Sequence, residues 1–146
     1  MNLAIKTAGY VLAAFMAFMG IQKFIGDVPI FQIIEANLQT DFGLALPFVD
    51  PVVKYATGVA ELVAALLIVV GFRFLGSALS VGVIGGAILA HLTVLGVHTP
   101  MTSAPDAETS PMLFIMAVVF FLLSAAVTYA NLPNGFLSKK TTPLAE

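Results

Sequence analysis

Four stretches of this chain, residues 4–25, 52–72, 75–96 and 111–131, are apolar and nearly free of charge. A helix needs roughly 20 such residues to cross the hydrocarbon core of a bilayer, at a rise of about 1.5 Å per residue. Nothing in lipid can bond a bare peptide group, so each crossing must satisfy its backbone internally, as a helix does. Four crossings account for most of the 146 residues. Only 10% of the chain is charged and 60% is hydrophobic, whereas a soluble domain carries about 25% charged residues. The remaining polar material is too scarce for a separate soluble domain. The expected fold is all-α: an integral membrane four-helix bundle, one domain over residues 1–146, with the lipid bilayer as its first partner.

Composition removes several classes of function. A formal net charge of −2 supplies no basic footprint for nucleic acid. The chain contains no cysteine, which excludes disulfide exchange, thiolate nucleophiles and cysteine-held clusters. Any redox role must rest on a bound cofactor or a partner subunit. Lys6 followed by the apolar run 7–21 resembles a signal peptide, but the run meets Gln22-Lys23 and no A-x-A-like cleavage site. It reads as a retained first span.

Lys and Arg near the span ends set orientation. Lys6, Arg73, Lys139 and Lys140 fall on one side, expected to be cytoplasmic, together with both termini. Lys23 and Lys54 fall on the other, with Asp27, Glu35, Asp41, Asp50, Asp106 and Glu108. Spans two and three are joined by a tight turn at Phe72-Arg73-Phe74 and must form an antiparallel hairpin. In the first outer loop Pro29 suits the first turn of a helix, with Asp27 as its cap. Ile30, Phe31, Ile34 and Leu38 recur there at helical spacing, among polar Gln32, Glu35 and Gln39. The pattern predicts a short amphipathic helix in the outer interface, roofing the bundle. The second outer loop, 99–110, is punctuated by prolines and suggests no element; the tail after Asn131 reads as frayed.

Span three carries Ala78, Gly82, Gly86 and Ala90, a small residue every four positions, and span two answers with Ala56, Ala60 and Ala64. Small residues let membrane helices approach closely. Gly82-x-x-x-Gly86 is therefore either internal packing of the hairpin, the plainer reading, or a face for a homo-oligomer.

Glu61 is the residue that asks for an explanation. A carboxylate at mid-membrane is unfavourable by roughly 2.5–3.5 kcal/mol on insertion scales, so it normally faces a partner, a cavity or a ligand. Lys54, Thr57, Gly58, Glu61 and Ala65 share one face of span two. Counting from the span ends places Gln22, Lys23, Lys54, Glu61 and His91 all in the outer half of the bundle. The inner half has no ionisable residue away from its rim. Plain explanations exist for each: the lysines snorkel to headgroups, His91 bonds a carbonyl, and Glu61 pins helices together. The functional explanation is a polar pocket, in which Glu61 and His91 relay protons or bond the oxygen of a quinone-like ring. Phe15, Met16, Phe18 and Met19 could wall such a ligand, or simply pack. A metal site is poorly supported, since His91 and His98 are seven residues apart with His98 near the loop, and a haem site lacks a second histidine at depth.

The run Phe18-Met19-Gly20-Ile21-Gln22-Lys23-Phe24, the Leu46-Pro47 before span two, and Thr57-Gly58-Val59-Ala60-Glu61-Leu62-Val63 together resemble the DoxX-like family. Gly71-Phe72-Arg73 and the stretch 85–91 are similar too, so the likeness covers residues 4–130. It implies a bacterial four-helix protein of the inner membrane. Family members include a small subunit of a thiosulfate:quinone oxidoreductase, and others are linked to redox or oxidative-stress complexes. Position by position, the family's polar end of span one falls on Lys23 and its span-two glutamate on Glu61; His91 has no assigned counterpart.

The expected function is a quinone-associated or membrane-anchoring subunit of an oxidoreductase system. Glu61 and His91 would orient the ligand or pass protons, Lys23 and Lys54 would set the local charge, and Gln22 and Thr57 would complete the site. The alternatives are a proton-coupled carrier of small solutes and a purely structural subunit of a larger membrane assembly. Orientation is testable directly, because the chain has no cysteine of its own. A cysteine at position 106 should react with a membrane-impermeant maleimide in intact spheroplasts; protection until lysis would invert the topology.

Overall fold

The structure is a computed structural model that describes residues 2–133; Lys139, Lys140 and the expected frayed tail lie outside the described residues. Five helices follow in order: α1 Leu3–Ile25, α2 Ile30–Phe42, α3 Lys54–Val69, α4 Arg73–Ala90 and α5 Met112–Ala130. A helical turn at Val49–Val53 leads into α3, and a wider turn at His91–Leu95 prolongs α4. With these extensions, four helices are long and apolar enough to cross a membrane: Leu3–Ile25, Val49–Val69, Arg73–Leu95 and Met112–Ala130. The architecture is all-α.

The long helices form a ring in which α1 packs on α3, α3 on α4, α4 on α5 and, more lightly, α5 on α1. The most extensive contact is α1 on α3. A Cβ at Gly20 would lie 2.9 Å from the Gly58 carbonyl oxygen, and one at Gly58 would lie 3.1 Å from the Lys23 Cβ. Phe24 stacks on Tyr55 beside this crossing, ring centres 5.4 Å apart. The α3–α4 hairpin closes at Gly76, where a Cβ would come within 2.7 Å of the Ala64 carbonyl oxygen. Its turn is centred on Gly71 at φ 105, with α4 starting at Arg73, so the turn sits a residue or two earlier than the spacing predicts. Glycine suits this left-handed conformation because it has no Cβ to clash.

The stripe of Gly82 and Gly86 does not serve the internal packing that the sequence suggests, because a Cβ at either meets nothing within 4 Å. The dense core, with Leu12, Met16, Ala64, Ile68, Ile84 and Val127, lies toward the α3–α4 turn and the middle of the bundle. Ser77, Ser80 and Ser124 are fully buried there, each donating to a carbonyl three or four residues back. Such local bonds satisfy a hydroxyl without a partner helix. Outward-facing Leu89, Leu92, Ile115, Val119 and Leu122 present the apolar surface that lipid requires.

The opposite end of the ring is roofed by α2, as its apolar spacing predicts. Its end is fixed by Gly43 at φ 66: the Gly43 N–H donates to the Gln39 carbonyl (3.1 Å) and the Leu44 N–H to that of Leu38 (3.0 Å). The first of these bonds, with glycine in the left-handed conformation, is the αL cap that ends many helices. Asn37 Nδ2 donates to the Val94 carbonyl at 2.9 Å, and Glu35 Oε2 accepts from the Asp50 N–H at 3.3 Å, tying the roof to α4 and α3.

Asp27 does not cap α2. Its carboxylate instead accepts from the Ser103 N–H at 2.6 Å and the Ser103 hydroxyl at 2.5 Å. The second loop is thereby clasped to the α1–α2 link, and it closes through a short antiparallel pair, β1 Thr99–Pro100 with β2 Thr109–Ser110. Two-residue strands flanked by prolines leave no alternation for a sequence reading to find.

The Ser103 hydroxyl and amide hold the Asp27 carboxyl below its ordinary value of 3.8. A lowered folded-state value means that the clasp contributes fully above about 3.8 and is lost as the pH falls below it through the folded-state value. Hydrogen exchange should show the Ser103 amide protected at neutral pH and released in acid, with Asp27→Asn lowering protection at neutral pH. Protection that ignores both pH and the substitution would refute the clasp.

Candidate functional site: a cavity beneath the short helix

Between the roof and the dense core lies a cavity of about 380 Å³. Its walls come from all five helices: Phe15 and Met19 of α1, Phe31 of α2, Thr57 and Glu61 of α3, Gly86, Ala87 and His91 on the α4 side, and Met116 of α5. The surface is predominantly apolar, with a few polar groups set into it, the usual make-up of a small-molecule site.

The central polar feature is an ion pair. Lys23 Nζ lies 2.7 Å from Glu61 Oε2 and 2.9 Å from Oε1, so one ammonium serves both carboxylate oxygens. Both residues are 6% exposed. Helix geometry explains why they meet. Cα–Cβ bonds tilt toward a helix's N-terminus. In α1 that direction leads away from the roof, and in antiparallel α3 it leads toward it. Lys23 and Glu61 sit one turn to either side of the Gly20–Gly58 crossing, so the two side chains converge across it. Lys23 does not snorkel outward; its Nζ turns inward, 3.4 Å from the Met19 carbonyl and 6.0 Å from the Phe31 ring centre.

His91 is also buried, at 4% exposure. Its Nδ1 lies 2.8 Å from the Gly96 carbonyl oxygen, and Phe114 meets the ring edge-on at 5.7 Å. A carbonyl only accepts, so Nδ1 carries a proton, and Nε2 is the ring nitrogen left free to take one up or give one away. The carbonyl-bonded histidine and the pocket histidine, alternatives in the sequence, are thus compatible: one nitrogen fixes the ring and the other is left for chemistry.

The remaining candidates separate. Thr57 lines the cavity, but its hydroxyl donates to the carbonyls of Val53 and Lys54, both at 2.9 Å. Lys54 does not join Glu61. It pairs with Asp50 at 2.7 Å, one turn back on its own segment, at the rim. Gln22 is half-buried at the end of α1 and does not line the cavity. Of the aromatic and methionine run, Phe15 and Met19 face the cavity, Met16 is core, and Phe18 points outward at 57% exposure. Phe15 also stacks on Phe120, ring centres 3.5 Å apart, which fixes its wall. The roof contributes Ile30, Phe31 and Ile34, and the uncharged last span contributes Leu113, Met116 and Ala117. The helical spacing of 30, 31 and 34 signals the first group; uniform hydrophobicity hides the second.

Fold and site together describe an all-α chain with four membrane-length helices and a buried carboxylate, ammonium and imidazole around one cavity. Compared with known proteins, the chain matches no protein-family model, no curated protein and no solved structure.

Removing one member of a buried pair strands the other charge, a loss of roughly 3–5 kcal/mol, whereas an apolar pair of similar volume is often neutral or better. Lys23→Met and Glu61→Leu should each destabilise the protein on that scale in detergent unfolding, and the double variant should recover most of the loss. Additive losses would mean that the two groups do not depend on each other.

Proposed function

We propose that this protein is a bacterial inner-membrane protein that holds a quinone-type ring in the cavity beneath α2, as the quinone-associated subunit of an oxidoreductase system. The cavity carries this reading: a space of about 380 Å³ with apolar walls, bearing the Lys23–Glu61 pair and His91. Its size falls within the roughly 300–1,000 Å³ of small-molecule sites and suits one substituted ring with the start of a chain. A quinone would supply the two-electron chemistry that a cysteine-free chain cannot. This chain's residues would hold the ring between Phe15, Phe31 and Met116, exclude water, and exchange protons at His91 Nε2 and the Glu61 carboxylate. Electrons would come from a partner subunit.

The likeness of the motifs around Lys23 and Glu61 to the DoxX-like family supports the same assignment. In this reading α2 lies in the outer interface and both termini are cytoplasmic. A second reading has its own observation. One ammonium already occupies both oxygens of Glu61, as in a pair that only locks α1 to α3.

Purification in mild detergent followed by mass spectrometry of extracted lipids separates the two. The ligand reading expects near-stoichiometric quinone in the wild-type protein. His91→Ala should reduce it about tenfold, equivalent to about 1.4 kcal/mol, with the helices intact by circular dichroism. A wild-type protein carrying only phospholipid, and no dehydrogenase-type partner, would leave the structural lock.

A further inference from the structure

The hairpin of α3 and α4 is closed at one end and parted at the other. At Gly76 the two backbones touch, with room for no Cβ. Further toward the roof both helices line the cavity, α3 through Val53, Thr57 and Glu61, α4 through Gly86, Ala87 and His91. Among the lining residues Gly82, Gly86 and Ala87, all on α4, are exposed, whereas Lys23, Phe31, Glu61, His91 and Ala117 are buried. A Cβ at Gly86 meets no atom within 4 Å. The cavity is thus open sideways on the α4 side, within a segment of membrane-spanning length and composition, while α2 covers it from above.

Resting on the ligand reading above, we infer that the gap between α3 and α4 at Gly86 and Ala87 is a lateral doorway from the bilayer. Its occupant is an amphiphile: a hydroxyl-bearing ring that donates to His91, and a hydrocarbon chain that lies in the gap and continues into lipid. The roof argues against access from water. It is held to α4 by Asn37 on Val94 and to the start of α3 by Glu35 on Asp50. The small side chains at 86 and 87 leave the wall open where larger ones would fill it. The fixed histidine selects the head. With Nδ1 committed to Gly96, Nε2 is the ring nitrogen left for a ligand, and wherever it carries no proton it accepts, so that it favours a hydroxyl donor, as on a quinol or phenol, over a bare carbonyl.

The test uses the full chain in detergent and three probes: a decyl-substituted benzoquinol, the same ring without the chain, and the decyl-substituted benzoquinone. A ligand that binds only the native state raises the melting temperature in proportion to its affinity. Wild-type protein should bind the decyl quinol more tightly than either of the others. Gly86→Leu, which has open space for its Cβ, and Ala87→Phe should each weaken the decyl quinol at least tenfold. Both variants should weaken the chainless ring far less than the decyl quinol, so that the ratio of the two affinities reports the gap, with the helices intact by circular dichroism. Equal binding of the decyl quinol by wild type and both filled variants would overturn the doorway while leaving the ligand reading in place. A preference for the quinone over the quinol would overturn the assignment of the head. A wild-type protein stabilised by none of the probes, or one whose gap keeps a phospholipid that no probe displaces, would remove the ligand reading and the doorway with it.

Discussion

The arrangement depends on how closely α1 and α3 can cross. Gly20 and Gly58 bring the backbones to a distance that a single methyl group would obstruct. From that crossing, two opposed helix directions send Lys23 and Glu61 toward each other, and a carboxylate set in an apolar helix of membrane-spanning length finds its countercharge. Without the crossing, the ammonium would be drawn to the headgroups and the carboxylate left in an apolar wall. The packing of one helix pair thus sets the electrostatics of the site.

The bundle divides its labour along its length. Toward the α3–α4 turn, glycine and alanine pack backbone against backbone and buried serines bond their own helices, so that half is dense. Toward α2, where α1 and α3 stay in contact at Gly20 and Gly58, the ring encloses a space that bears the polar groups. The extension of α4 through the wide turn at His91–Leu95 belongs to this second half. It places His91 at the wall and returns the chain so that the Gly96 carbonyl meets the ring. The roof is held from its polar side by Asn37 and Glu35, while its apolar side covers the cavity.

Much of this was legible in the sequence, for physical reasons. Membrane-length apolar runs are the strongest signal a chain can carry, because lipid leaves no alternative to helix. The spacing of Ile30, Phe31 and Ile34 was enough to predict the roof. The isolation of Glu61 in an apolar run pointed to a residue that the structure places on the cavity wall. The pairing was harder to read. Lys23 and Lys54 lie at comparable heights, and only the direction in which each side chain leaves its helix shows that one turns to Glu61 and the other to Asp50. The glycines misled because spacing reports small size and says nothing of what lies opposite: Gly76 makes the close contact and Gly86 faces open space. Span four's contribution was invisible, since a uniformly apolar helix has no marked face.

Gly76 has one more mechanical implication. Two helices in backbone contact at one point and separated beyond it are arms on a shared pivot. Ala87 lies eleven residues from that pivot, about 16 Å at 1.5 Å per residue. Over such a lever a tilt of about 4° shifts the far end by about 1 Å, with each helix intact and its hydrogen-bonded turns undisturbed. Because α4 is tethered to the roof through Asn37, any such tilt is passed to α2 as well. In a bilayer, whose thickness acts on helix tilt, a tilt of that size would change the volume enclosed around Glu61 and His91.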